Sequence, residues 1–267
     1  MTIRGDPVNS NGQRIEGWCC MSRVKICGLR REDDIRIVNR VLPDYIGFVF
    51  APSQRQVDVP TAAALKKILD PRIEAVGVFV NESIETIAEL YRNKIIDLAQ
   101  LHGDEDEAYI ARLKERCGCP IIKAVRVGNT LPPLPDGADY LLFDTLPKQC
   151  DLLVTPTPSL RAQRSNPEVK DAALPLDCHV ALRASRNDGE GVTCNQRGGT
   201  GQAFDWNILT NYTGLPYFLS GGLGVHNVSE AIKALSPYCV DVSSGVESDG
   251  VKNEKKIDDF VHLVRGC

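Results

Sequence analysis

The feature that most constrains this chain is a rhythm that sets in after Met21. Eight short apolar runs, rich in β-branched residues, alternate with amphipathic charged stretches. The runs fall at 24–27, 44–50, 74–80, 97–102, 121–125, 139–144, 217–222 and 240–245. Helical stretches are expected at 31–41, 60–69, 83–93, 105–116, 225–235 and 253–264, and a Pro-rich connection at 129–137 follows the fifth run. Runs this short and this apolar are strands buried on both faces. Eight such units favour a single α/β domain, a (β/α)₈ TIM barrel, over an open doubly wound sheet. Glu82-Ser83 and Gly103-Asp104 supply helix starts.

Two segments break the rhythm. Residues 1–20 are polar and Gly/Asn-rich and read as a short disordered N-terminal extension to a barrel at 21–267. Residues 146–197 follow strand 6, where a connection of about 2–6 residues is usual. They are rich in Pro, Arg, Ser and Asn, and LRAQRSN at 160–166 returns as LRASRND at 182–188. That composition and repeat predict a disordered insertion at about 148–194 rather than a folded domain.

Charge and cysteine usage exclude several function classes. A net charge of −4 carries no electrostatic footprint for nucleic acid. No apolar run approaches the roughly 18 residues of a membrane span, and the N-terminus lacks the apolar core of a secretory signal. The ten cysteines form no paired CxxC spacing, so neither a zinc site nor a disulfide framework is expected. Free thiols in a reducing cytoplasm, with no metal, fit this pattern.

In a barrel of this kind the chemistry sits at the carboxyl ends of the strands. The polar residues just past each run are Cys27, Arg55, Asn81, Gln100 and His102, Lys123, Asp144, Ser220-Gly221-Gly222, and Asp241 with Ser243-Ser244-Gly245. The turns Gly198-Gly199-Thr200-Gly201, Gly221-Gly222 and Ser244-Gly245 are either simple turns or a backbone nest for a phosphate dianion. Barrel phosphate sites commonly use the loops after strands 7 and 8, which favours the nest. Asp144 ends a strongly apolar strand, where desolvation favours a protonated acid; turn capping is its alternative. Cys27 is either a small buried hydrophobe or a base whose thiolate is promoted by Lys25 or Arg55, if these point inward. Arg55 carries a fork suited to a planar carboxylate, or is a solvated loop cation. His102 either donates a hydrogen bond at the rim or caps a turn.

Nine motifs fall in order: VKICGL (24–29), GFVFAPSQRQV (47–57), VGVFVN (76–81), QLHGDE (100–105), IKAV (122–125), LLFDT (141–145), GGTGQAFDW (198–206), LSGGL (219–223) and VDVSSGVES (240–248). Together they resemble the phosphoribosylanthranilate isomerase family over 22–145 and 198–267. The resemblance implies a cofactor-free Amadori rearrangement of N-(5′-phosphoribosyl)anthranilate in tryptophan biosynthesis. It implies Asp144 as general acid, Cys27 as general base, Arg55 on the anthranilate carboxylate and Asp241 near the sugar hydroxyls. His102 joins the substrate-binding set, and the phosphate would lie among Gly199, Gly201, Gly222, Ser244 and Gly245. The expected partner is a small phosphorylated substrate, with the chain a monomer or homodimer. The insertion abutting Asp144-Thr145 leaves one alternative, a barrel that binds phosphorylated ligands without turnover. Indoleglycerol-phosphate synthase and the histidine-pathway isomerase, both related barrels, fit less well. The first relies on a lysine–glutamate set and the second on paired aspartates, whereas strand 1 here ends in Cys27.

Overall fold

The computed structural model describes residues 22–146 and 204–267. The extension expected at 1–20, the insertion expected at about 148–194, and Gly199 and Gly201 lie outside the described residues. Eight parallel strands pair in chain order and the last returns to the first, closing a barrel. They are β1 (Arg23–Cys27), β2 (Tyr45–Val49), β3 (Glu74–Phe79), β4 (Leu98–Leu101), β5 (Ile121–Val127), β6 (Tyr140–Thr145), β7 (Tyr217–Leu219) and β8 (Cys239–Val242). Helices α1 (Glu32–Val41), α2 (Val59–Ile68), α3 (Ile84–Arg92) and α4 (Glu107–Cys117) follow β1 to β4, and α5 (Val228–Leu235) and α6 (Glu254–Arg265) follow β7 and β8. The Pro-rich stretch after β5 carries no helix, as expected, because proline lacks the amide an interior helical turn needs.

Local chemistry sets the helix starts. Ser83 caps α3, its Oγ accepting the Thr86 amide at 3.1 Å, a contact worth about 1 kcal/mol. For α4 the cap is Asp106, which accepts the Tyr109 amide at 2.7 Å, and not the expected Gly103-Asp104. Those two amides are committed elsewhere: Gly103 donates to Glu105 Oε2 and Asp104 to Asn81 Oδ1. The loops after β3 and β4 are thereby laced together.

Alternation along the strands produces two cores. One face of each strand packs against the helices, as Ile26, Phe48 and Phe143 do with Ile35, Leu65 and Phe260 in a single outer annulus. The opposite face fills the barrel with Tyr45, Val76, Leu98, Ile122, Leu142, Phe218 and Cys239, one residue from each of β2 to β8. Near the amino ends, the Phe218 ring packs at a steep angle against three others, its centroid 5.4 Å from that of Tyr45 and 5.7 Å from those of both Tyr140 and Tyr238. The Arg23 guanidinium lies 4.9 Å from the Tyr238 ring. This is a packed floor, not a pore.

One element falls outside the expected rhythm. A two-stranded hairpin, β9 (Glu247–Ser248) and β10 (Val251–Lys252), sits between β8 and α6. Its turn is Asp249-Gly250, with φ of 51° and 72°, the left-handed pair that a tight hairpin requires. The Asp-Gly signal was available in the sequence.

Candidate active site

One step beyond the apolar plug the inward positions turn polar on β4, β6 and β8, at Gln100, Asp144 and Asp241, and just past β7 at Ser220, while β2, β3 and β5 present Gly47, Val78 and Ala124. Cys27 ends β1, buried at 9% exposure, and a methyl at Gly47, its register partner on β2, would come within 2.6 Å of the thiol. Glycine at 47 therefore makes the room the sulfur occupies. Gly28 (φ +81°) performs the same service for Arg55, whose Cδ would lie 2.5 Å from a methyl there. Arg55 thus crosses directly over the residue after the thiol.

Lys25 does point inward. It is fully buried, and its Nζ donates to Asp241 Oδ2 at 2.8 Å and to Gln100 Oε1 at 2.9 Å. The expectation that positive charge would favour the thiolate of Cys27 is met only in part. Burial pushes the thiol up from its ordinary value; the Lys25 and Lys252 ammonium groups pull it back without reversing the shift, and Asp241 adds to the rise. Desolvation wins.

Arg55 is not a solvated loop cation. Its Nε and Nη2 donate to the two oxygens of Glu247 at 2.8 and 2.7 Å, and Lys252 donates to Glu247 Oε1 at 2.7 Å. Burial opposes ionisation of Glu247, but the Arg55 fork and Lys252 outweigh it and hold the carboxyl at about 2. Lys252 also donates to the Ser243 carbonyl at 2.9 Å, and Ser243 Oγ donates to the Cys27 carbonyl at 3.1 Å. Glu247, Lys252 and Gly47 were absent from the sequence-derived site. The hairpin supplies the first two, and only its Asp-Gly turn hinted that this segment folds back.

Asp144 is the penultimate residue of β6, buried at 7% exposure, with Oδ1 accepting the Thr145 amide at 2.8 Å. Its Oδ2 lies 3.4 Å from His102 Nε2. His102 Nδ1 in turn is 2.9 Å from Gln100 Nε2. Arg126 is the register partner of Asp144, and its Nη2 is buried without a hydrogen-bond partner. Asp241 sits a layer lower than the rim; Oδ2 takes the Lys25 bond while Oδ1 is buried and unpartnered. Lys123, read as a rim group, is instead a buried brace, bonded to Glu105 Oε2 at 2.8 Å and the Gly103 carbonyl at 2.9 Å.

The glycine loops after β7 and β8 meet. Gly222 turns with φ of 67°, Asn227 ties its carbonyl to the Gly224 amide, and Gly245 packs against the Leu223 carbonyl too closely to admit a side chain. Ser244 begins the short 3₁₀ turn beside them. In barrel order, β7 and β8 stand between the strand bearing Asp144 and the strand bearing Cys27. The two glycine loops therefore lie between acid and thiol.

A closed eight-stranded parallel barrel with an acid, a thiol and paired glycine loops at its carboxyl end defines an enzyme of the (β/α)₈ class. Its likeness to known proteins is more specific. The N-(5′-phosphoribosyl)anthranilate (PRA) isomerase family matches residues 24–147 and 159–263, and the chain belongs to that family. Similar sequences include the N-(5′-phosphoribosyl)anthranilate isomerases of Endomicrobium trichonymphae, 41% identical over 92% of this chain and 99% of that one, and of Clostridium acetobutylicum, 39% identical over 92% and 98%. Among solved structures, phosphoribosyl anthranilate isomerase from Thermotoga maritima aligns with TM-score 0.65 and 28% identity, covering 92% of this chain and all of that one. Another is a phosphoribosyl anthranilate isomerase in complex with reduced 1-(o-carboxyphenylamino)-1-deoxyribulose 5-phosphate, with TM-score 0.64, 27% identity and the same coverage. No helix among the described residues is long and apolar enough to cross a membrane.

Proposed function

We propose that this chain isomerises N-(5′-phosphoribosyl)anthranilate to 1-(o-carboxyphenylamino)-1-deoxyribulose 5-phosphate, a step of tryptophan biosynthesis. The observation that carries the assignment of roles is the placement of the glycine loops between Asp144 and Cys27. A phosphate seated there would hold the ribose within reach of both groups. Asp144 gives its proton to the furanose ring oxygen; the C1′–O bond breaks and the anilino nitrogen forms an iminium. The resulting carboxylate is met by the Thr145 amide and by His102. Cys27, in its thiolate form, then takes the proton from C2′, whose acidity the iminium raises; the sulfur becomes a thiol and the C2′–H electron pair forms the enolamine. Tautomerisation to the ketone completes a redox-neutral sequence in which only protons move.

Arg55 receives the anthranilate carboxylate, with Glu247 holding its fork in place. Asp241 anchors Lys25 and keeps one acceptor, Oδ1, for a sugar hydroxyl. Gly222, Ser244 and Gly245, with Gly199 and Gly201 from outside the described residues, form the phosphate nest. The segment at about 148–194 is read as an insertion from its composition and internal repeat; the family match breaks after 147 and resumes at 159. A cytoplasmic monomer or homodimer completes the proposal. Loss of substrate fluorescence on conversion measures turnover, and light scattering gives the oligomeric state. Unchanged turnover in Cys27→Ala or in Asp144→Ala would remove the roles assigned here.

A further inference from the structure

The wiring beneath the mouth carries information about a proton. Lys25 Nζ is a donor with no acceptor capacity, so the atom of Gln100 that faces it at 2.9 Å must be the carbonyl oxygen. The Gln100 amide is thereby oriented by chemistry rather than by choice, and its NH₂ group is the atom facing His102 Nδ1 at 2.9 Å. A donor pointed at Nδ1 requires that nitrogen to be the acceptor. The imidazole proton must then sit on Nε2, which faces Asp144 Oδ2 at 3.4 Å. Asp241 closes the other end, accepting from Lys25 at 2.8 Å and preventing the ammonium from swinging away. Lys25, Gln100 and Asp241 are all buried, so water does not compete for these bonds.

We propose that Gln100, oriented by Lys25, is a positioning residue that holds His102 as the neutral Nε2–H tautomer and aims its N–H at the acid Asp144. The inference rests on the acid role of Asp144 proposed above and adds what prepares it. A neutral donor serves a general acid in a way a cation would not. It steadies the carboxylate once the proton has left, without fixing a full positive charge beside the acid while the proton is still needed. The separation of 3.4 Å is long for a hydrogen bond, and catalytic bonds commonly tighten in the substrate complex.

Nitrogen-15 NMR of the full chain at neutral pH, with His102→Asn to assign the ring, tests the tautomer without any turnover. The expected spectrum has a protonated Nε2 and a bare Nδ1. An Nδ1–H tautomer or an imidazolium would overturn the proposal even if the chain is fully active. Gln100→Glu removes the NH₂ donor and offers Nδ1 only an acceptor, so the ring proton should move to Nδ1. We expect kcat to fall about ten- to a hundredfold with KM within about threefold. Gln100→Glu with the wild-type ring spectrum or wild-type kcat refutes the relay. If that variant fails to fold, the wild-type spectrum still decides. Failure of the isomerase assignment shows separately, as absence of turnover in the wild-type chain.

Discussion

The two ends of the barrel are built from the same alternation but from opposite chemistry. At the amino end, Tyr45, Tyr140 and Tyr238 pack at steep angles against the Phe218 ring, and Arg23 lies over aromatic faces and donates to the Tyr45 hydroxyl at 2.7 Å. At the carboxyl end, the next inward positions are a thiol, a histidine and a carboxylate. Around them Arg55 and Lys252 both donate to Glu247. Between the two lies a single buried polar layer, Asp241–Lys25–Gln100. The floor can therefore supply stability without constraining chemistry, and the mouth can carry unsatisfied groups such as Arg126 Nη2 because the floor and annulus hold the strands.

This contrast predicts separable effects. At the mouth, Cys27→Ala and Asp144→Ala should each lower kcat/KM by about 10²–10⁴-fold while the thermal midpoint stays close to wild type. A large loss of stability in both would show that the mouth is structural after all. At the floor, Phe218→Ala should cost about 3–5 kcal/mol in denaturant unfolding, with kcat of the folded fraction nearly unchanged. Loss of kcat in folded Phe218→Ala would erase the division between the ends.

The thiol offers a pH test. Burial raises Cys27 above the ordinary thiol value of 9.0, and the protonated form is the one the fold favours. The thiolate fraction near neutrality is small and grows about tenfold per pH unit. Peptide mapping of Cys27 alkylation across pH should place its half-maximal rate above 9.0; a midpoint below that would mean that Lys25 and Lys252 outweigh burial. The smallest effect concerns the clamp. Glu247→Gln should raise KM about tenfold with kcat little changed, by freeing the Arg55 fork. Because Glu247 is depressed to about 2 from 4.5, its contribution to stability is complete above about pH 4.5 and lost as pH falls through about 2. Urea midpoints measured down through that window should show the loss in wild type and not in Glu247→Gln.

The barrel was legible because its strands are buried on both faces and its helices are amphipathic, so the period of the sequence changes at each element. Cys27, Asp144 and His102 were legible for a related reason: the carboxyl end of a barrel strand is where an apolar run stops on a polar residue. Glu247 was not, since it pairs with Arg55 across 192 positions of chain and no local pattern encodes that meeting. The role of Lys123 misled for the same reason; its ammonium turns to Glu105, a partner placed by the loop after β4. Lys25 and Arg55 show the division most clearly. By itself the sequence determined a closed barrel with a thiol ending strand 1 and an acid on strand 6, and offered Lys25 and Arg55 as cations that would act on Cys27 if they pointed inward. Only the tertiary structure decided that Lys25 is buried on Asp241 and Gln100, that Arg55 is clamped by Glu247, and that the thiol is raised rather than lowered. Desolvation and pairing depend on which atoms end up within about 4 Å of one another, and chain order does not specify that distance.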